Sequence, residues 1–144
     1  MQIKLNKIKD IFTNYPIEFS YVYGSMAKGT PRSWSDLDIA LIVTDNIPPE
    51  QYLEIETDVS KKIDELLPNV ESDVRIFNYA PLNFKIQIVQ EGKLLYSKNE
   101  NKRVNFETQV RDEYFDFLPL RKEYQTSFLK GIEKGGLLWS TPKK

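Results

Sequence analysis

The sequence predicts an α+β domain, α/β-like in the way that helices separate its strands, followed by a helical extension. Two runs rich in β-forming apolar residues, at 19–23 and 37–43, lie on either side of a Gly-Ser turn. Apolar residues between 52 and 66 recur at steps of three and four, which is typical of an amphipathic helix. With 144 residues, 40% of them hydrophobic, the chain is expected to form one core.

Each element follows from its local sequence. Apolar residues between 3 and 12 fall on one side of a helix, which Asn14, Tyr15 and Pro16 stop. Further along the chain we predict strands at 19–23 and 37–43, a helix at 49–67, a strand at 70–77, a helix at 82–90 and a short strand at 94–96.

The segment after residue 98 predicts a long helix with an aromatic stripe. The stripe consists of Phe106, Val110, Tyr114, Phe117, Tyr124 and Phe128. Pro119 interrupts it and is expected to kink the helix or split it in two. We therefore expect a domain that contains the predicted strands at 1–98 and a helical extension at 99–144. The extension packs on that domain or continues it. The stripe is interpreted as packing, with a partner-binding surface as the alternative.

Composition excludes several kinds of chemistry. The chain has no His and no Cys, which removes disulfides, thiolate nucleophiles, histidine bases and ordinary zinc or haem sites. A net charge of −1 gives no global electrostatic attraction for nucleic acid, and direct nucleic-acid binding is not expected. No run has the apolar length of a signal peptide or membrane span, so a cytoplasmic protein without membrane contact is expected.

The motif that carries chemistry is GSMAKGTPRSWSDLDIALIV, from Gly24 to Val43. Strand alternation places Asp36 and Asp38 on one face, where their charges repel each other. Such a pair is expected to persist only where a cation or a strong hydrogen-bond network offsets the repulsion. The structural alternatives are that Asp36 and Asp38 cap a loop or form an ion pair with Arg32.

The turn that precedes these acids has the features of a phosphate site. Gly24 and Ser25 follow a strand and precede a short segment whose free backbone amides suit a phosphate. Ser25 adds a hydroxyl donor, and Lys28 adds a mobile positive charge. A Gly-Ser turn alone is weak support, but its combination with Asp-x-Asp couples a phosphate cradle to a hard-cation site.

This stretch resembles the Gly-Ser...Asp-x-Asp signature of the polymerase-β-like nucleotidyltransferases, in their minimal form called MNT. The resemblance implies the polymerase-β-type sheet flanked by helices, with ATP as substrate and Mg²⁺, as two ions, as cofactor. It implies that Gly24, Ser25 and Lys28 bind the nucleotide. It also implies that Asp36 and Asp38 are catalytic metal ligands.

A third acid from a neighbouring strand completes the site in that family. Asp73, in ESDVRIF, is the best candidate for a third catalytic metal ligand, and it is also a candidate proton acceptor. Glu71 shares its strand face and stays open as the alternative. Arg75 lies on the same face, so a structural ion pair with either acid is the competing interpretation.

The C-terminal part resembles the MNT antitoxins encoded beside HEPN-type ribonuclease toxins, through QEGKLLYSKNE and RVNFETQVRDEYFDFLPLRKEY. That resemblance implies transfer of AMP from ATP to a tyrosine of the toxin, and binding of the toxin. Two alternatives remain: a small-molecule nucleotidyltransferase of the aminoglycoside type, and a non-catalytic antitoxin that neutralises by binding alone.

Overall fold

Four strands and four α-helices make up the part of the chain that the computed structural model describes, residues 2–24 and 37–133, with side chains described over 5–24 and 37–118. In chain order they are α1 (Gln2–Phe12), β1 (Ile17–Tyr23), β2 (Leu37–Val43), α2 (Tyr52–Leu66) after a 3₁₀ turn at Pro49–Gln51, β3 (Ser72–Ile76), α3 (Leu82–Glu91), β4 (Lys93–Ser97) and α4 (Glu100–Glu133).

The strands form one mixed sheet in the order β3-β2-β1-β4. β1 pairs antiparallel with both β2 and β4, whereas β3 lies parallel to β2. The connection from β2 to the parallel strand β3 runs through α2, as a parallel pair requires. The end of β1 and the starts of β2 and β3 therefore meet at one end of the sheet.

Helices cover both faces of the sheet, and the residues of β2 alternate between the two cores. Ile39 and Leu41 belong to the cluster formed with α1 and α2. Ala40 and Ile42 belong to the cluster formed with α3 and α4. Because side chains alternate along a strand, Asp38 points to the same face as Ala40 and Ile42, the face of α3 and α4.

The edge strand β3 is held by acidic side chains of α2. A Glu56 carboxylate oxygen accepts a hydrogen bond from the Ile76 amide at 2.7 Å, and Asp64 accepts one from the Ser72 amide at 3.3 Å. Edge strands otherwise present unpaired backbone donors to solvent or to other chains. These contacts fix β3 beside β2 and so fix the position of Asp73.

The predicted fold class is confirmed, and every predicted helix and strand is present near its predicted position. Of the two outcomes expected at Pro119, the split is wrong, because α4 runs through it as a single helix of 34 residues, and the kink stays a prediction. A proline removes one backbone donor, and hydrogen bonds on both sides of it sustain a long helix. The division at residue 98 stays a prediction. None of the helices in the described ranges combines the length and the apolar character needed to cross a membrane.

Candidate active site

Three polar side chains form a row across β1, β2 and β3, at the end of the sheet where β2 and β3 begin. Asp38 pairs in register with Tyr23 of β1 on one side and with Asp73 of β3 on the other. Directly opposed residues on neighbouring strands have their side chains on the same face, within contact range of each other. The sheet therefore brings together two acids that are 35 positions apart in the sequence.

Gly24 adjoins this row and is conformationally required there. Its φ of +76° lies in the left-handed region that L side chains rarely adopt. A Cβ atom at this position would also clash with the Oδ2 atom of Asp38. The Gly24 backbone therefore lies directly against the Asp38 carboxylate, where a bound phosphate and the carboxylate would be neighbours.

Asp73 already has one charged partner. Its Oδ1 atom accepts a hydrogen bond from Nε of Arg75 at 3.1 Å, and both side chains are about half or more exposed, 48% for Asp73 and 65% for Arg75. The ion pair that the sequence suggested between Arg75 and one of two acids is therefore present, and the acid is Asp73. Exposed pairs of this kind are weak, so the contact leaves Asp73 available to another ligand.

Tyr23 is a site residue that the sequence did not indicate. Burial, with a further contribution from the charges of Asp38 and then Asp73, raises the pKa of Tyr23 to about 12. Its ring packs on Phe77, with centroids 5.6 Å apart. In the sequence, Tyr23 is marked by its position directly before the Gly-Ser turn. The antiparallel register of β1 and β2 is what shows that Tyr23 lies opposite Asp38.

A cavity of about 320 Å³ opens beside Asp73, between the sheet and α3. Its lining combines polar and apolar side chains: Tyr23, Asp73, Arg75, Ile76, Phe77, Ala80, Phe84, Gln87 and Ile88. This is the mixed lining of a small-molecule or side-chain site. A ligand in the cavity would lie beside Asp73.

The predicted site residues divide into two groups. Gly24, Asp38 and Asp73 lie together at one end of the sheet. Ser25, Lys28 and Asp36, with Arg32, lie outside the described residues. Glu71 precedes β3, and its carbonyl accepts a hydrogen bond from the Leu37 amide at 2.8 Å, whereas Asp73 stands opposite Asp38. Asp73 is therefore the better placed third acid.

The donor set fits a hard divalent cation. Within the described ranges no group of three acidic side chains that could hold a metal ion is found, and Asp36 lies outside those ranges. Asp38 and Asp73 alone supply two carboxylates from adjacent strands, and carboxylate oxygens are the preferred ligands of Mg²⁺. A cation would also offset the repulsion between these two charges.

Comparison with known sequences shows the family. The sequence model of polymerase beta nucleotidyltransferases matches residues 6–101, well over half of the chain. The chain belongs to this nucleotidyltransferase family. The match spans all four strands of the sheet and the whole row of site residues. No curated protein matches the chain.

Solved structures with the same fold come from toxin–antitoxin complexes. A toxin–antitoxin structure with AMP-PNP is 21% identical with a TM-score of 0.67, over 87% of this chain and 98% of that one. An MntA–HepT complex is 18% identical with a TM-score of 0.65, over 90% and 99%. A tri-AMPylated HEPN toxin of Shewanella oneidensis in complex with its MNT antitoxin is 19% identical with a TM-score of 0.64, over 89% and 98%. At these identities the likeness shows the fold.

Proposed function

We propose that this chain is the antitoxin of a toxin–antitoxin pair and transfers AMP from ATP to a tyrosine of a HEPN-type ribonuclease toxin, which it also binds in the cytoplasm. The observation that carries the proposal is the register of Asp38 opposite Asp73 in a nucleotidyltransferase sheet, beside a cavity of side-chain size. Two carboxylates on adjacent strands, one of them against the Gly24 backbone, are suited to phosphoryl chemistry.

The reaction would be an in-line displacement at the α-phosphorus of ATP. The acceptor oxygen of the toxin tyrosine forms a bond to this phosphorus, and the bond from the phosphorus to the bridging oxygen of the β-phosphate breaks. Pyrophosphate leaves with the electron pair of that bond. Asp73 accepts the phenol proton, because it is half-exposed beside the cavity that would hold the acceptor ring.

Asp38 and Asp73, with Asp36 by the sequence motif, would hold Mg²⁺, two ions in the proposal. Bound Mg²⁺ would neutralise charge on the triphosphate and lower the pKa of the attacking hydroxyl. Gly24, by its backbone against Asp38, and Ser25 and Lys28, by the motif, would hold the phosphates. Arg75 donates a hydrogen bond to the Asp73 carboxylate, which would also contact the acceptor hydroxyl. Arg75 would therefore orient that carboxylate.

A protein acceptor is favoured by the extent of the structural likeness. The alignments reach 87–90% of this chain and 98–99% of the solved chains, so at least part of α4 is included. Those chains occur in complexes with HEPN toxins, and one of the toxins carries AMP. A chain without histidine lacks the Arg...His ribonuclease motif expected of a HEPN toxin, so the toxin role falls to a partner.

The test uses the product of the neighbouring reading frame as acceptor. The purified chain is incubated with that product, ATP and Mg²⁺, and intact mass spectrometry is expected to show a gain of one or more AMP groups on a tyrosine. Asp38→Ala, alone or with Asp36→Ala, is expected to abolish the gain with the fold intact. Asp58→Asn, an exposed acid of α2 away from the row, is the matched control and is expected to transfer normally.

Other outcomes would support the alternatives. Complex formation and neutralisation without any mass gain would indicate an antitoxin that acts by binding alone. No complex, together with AMP transfer to an aminoglycoside, would indicate a small-molecule nucleotidyltransferase. Undiminished transfer by the Asp36 and Asp38 double variant would contradict the assignment of the acids.

A further inference from the structure

A second cavity, of about 330 Å³, lies between α3 and α4 at the opposite end of the sheet from Asp38 and Asp73. Its lining includes the apolar side chains of Phe19, Ile42, Phe106 and Val110 together with polar and charged ones. Val43, which also lines it, lies about 16 Å along β2 from Asp38 at the usual rise per strand residue. The nucleotidyl transfer proposed above makes no use of this cavity.

A β-bulge turns a carboxylate into this cavity. From Ile17 to Phe19 the chain advances by two residues along β1, whereas their partners Val43 and Ile42 are adjacent in β2. Glu18 is therefore the extra residue of the bulge. Bulges of this kind redirect a side chain that alternation would place on the other face. Glu18 consequently lines the cavity together with its neighbour Phe19.

The Glu18 carboxylate is buried and incompletely satisfied. The residue is 7% exposed, and its Oε2 atom has no hydrogen-bond partner among the described residues. Nζ of Lys102 lies 3.9 Å from that oxygen, at the limit of an ion pair, and the Lys102 side chain is half-exposed. A buried charge is costly unless it is both paired and hydrogen-bonded, so Oε2 favours a ligand that donates a hydrogen bond to it.

The lining selects a positively charged organic group. Its ionisable residues are the acids Glu18, Asp45 and Glu113 and the amines Lys85 and Lys102, an excess of one negative charge. Apolar side chains beside Glu18, among them Phe19 and Phe106, favour an organic cation over a bare inorganic one. An ammonium or guanidinium group on an apolar or aromatic stem matches both the buried oxygen and the Phe19 and Phe106 rings, whose centroids are 5.3 Å apart.

We propose that this cavity is a binding site for an organic cation, anchored by Glu18 and separate from the nucleotidyl-transfer site. The cavity is of the size that small-ligand sites usually have. The cation belongs either to a free amine or to a basic side chain of a bound protein. Lys102 then competes with the ligand for Oε2, because both carry a positive charge.

The test compares three ligands that share one stem. The full chain is titrated with 2-phenylethylamine, 2-phenylethanol or phenylacetate, and amide chemical shifts are followed by NMR. We expect shifts at residues around the cavity and at least about tenfold tighter binding of the amine than of the alcohol, the size of one hydrogen bond to a charged group. Equal affinity for amine and alcohol, or tighter binding of phenylacetate, would overturn the proposal.

Two variants with opposite expected signs make the test specific. Glu18→Gln is expected to abolish the preference for the amine, whereas Lys102→Met is expected to strengthen amine binding by removing the competitor. Asp112→Asn, which alters an exposed acid of α4 outside the lining, is the matched control and is expected to keep the preference. If Glu18→Gln does not fold, the effect of Lys102→Met on amine affinity decides the test. Weaker amine binding by Lys102→Met would refute the assignment of Glu18 as the anchor.

A final arm identifies the source of the cation. The amine titration is repeated on the chain in complex with the product of the neighbouring reading frame. Lost amine binding indicates that a basic side chain of the partner fills the cavity, and retained binding indicates a free amine as ligand. Absence of any complex or AMP transfer refutes the proposed function alone, since the titration of the isolated chain does not depend on either.

Discussion

At the scale of single residues, Asp38 and Asp73 have different expected roles because they have different surroundings. Asp38 lies against the Gly24 backbone on the strand that follows the Gly-Ser turn, whereas Asp73 lines the cavity beside it. Asp38 is therefore placed to act on the phosphates, and Asp73 is placed to act on the acceptor.

We predict that Asp73→Asn lowers the rate of transfer by about 10²- to 10⁴-fold, the range for loss of a general base, and leaves ATP binding largely intact. The amide keeps the shape of the side chain, so the fold is retained. Single-turnover kinetics and equilibrium binding of ATP separate the two effects. A variant that fails to bind ATP but turns over what it binds would show that the role given to Asp73 is wrong.

Arg75 allows a prediction that does not depend on turnover. Its guanidinium holds Oδ1 of Asp73 at 3.1 Å, so it competes with a cation for that oxygen. Arg75→Gln is expected to tighten binding of Mn²⁺, in the absence of nucleotide, by roughly one-and-a-half- to fivefold, the worth of an exposed ion pair. Mn²⁺ binding is measured by electron paramagnetic resonance.

The control for that measurement is Arg111→Gln, which changes an arginine that lies near Glu107 instead. We expect it to leave Mn²⁺ binding unchanged. Weaker Mn²⁺ binding by Arg75→Gln would show that the arginine organises Asp73 for the metal and does not compete with it.

At the scale of elements, the start of α4 is fixed to the sheet by a polar network. Asn99 caps the helix by accepting a hydrogen bond from the Lys102 amide at 3.2 Å. Glu107 accepts hydrogen bonds from the Tyr21 hydroxyl at 2.5 Å and from Arg103 at 3.0 Å. Tyr21 is only 3% exposed, so this contact joins the middle of the sheet to the helix.

We predict that Tyr21→Phe destabilises the protein by about 1.5–3 kcal/mol at neutral pH, the worth of a buried hydrogen bond to a charged group. The loss is expected to shrink as the pH rises above 10. Burial, and then the hydrogen bond to Glu107, raises the pKa of Tyr21 above its ordinary value, so the folded chain retains a proton that the unfolded chain loses. The stability that the protonated Tyr21 hydroxyl contributes is fully present below pH 10 and decreases as the pH rises above 10.

The measurement is urea unfolding of the wild-type chain and of Tyr21→Phe at pH 7, 9 and 11. Tyr114→Phe, at the same interface between α4 and the sheet, is the matched control. A stability difference between wild type and Tyr21→Phe that stays constant up to pH 11 would contradict the predicted pKa effect.

The elements themselves were largely predictable because their signals are local. The 52–66 helix follows from its apolar spacing and β2 from its apolar run, and both are present as predicted. The contribution of Tyr23 depends on the antiparallel register and has no local signal. Strand alternation placed Arg75 on the face of Asp73 and Glu71, but it did not decide which of the two acids Arg75 contacts. The inward turn of Glu18 depends on a bulge that strand alternation does not predict.

At the scale of the whole molecule, the two faces of the sheet have different tasks. The face toward α1 and α2 carries only apolar β2 side chains into its core, Leu37, Ile39, Leu41 and Val43. The face toward α3 and α4 carries the row of site residues at one end and the Glu18 cavity at the other. α3 lines the cavity beside the row, and α4 lines the Glu18 cavity, so the two helices divide one functional face.

The aromatic stripe of α4 tests the attachment of this helix to the sheet. Phe106 packs on Phe19 of the sheet, and Val110 is 3% exposed, whereas Phe117 is 46% exposed. The stripe prediction is thus confirmed for its first part, and Tyr124 and Phe128 lie beyond the described side chains. We predict that Phe106→Ala destabilises the protein by about 3 kcal/mol, the lower end for loss of a large ring, because Phe106 is only partly buried.

Phe117→Ala is the matched control on the same helix, and we expect it to change stability by less than about 0.5 kcal/mol, as exposed positions do. Urea unfolding monitored by circular dichroism measures both variants. A Phe106→Ala chain with wild-type stability that no longer binds its partner would show that this part of α4 is an interface and not core. Equal destabilisation by both variants would show that the second half of the stripe is also packed against the domain.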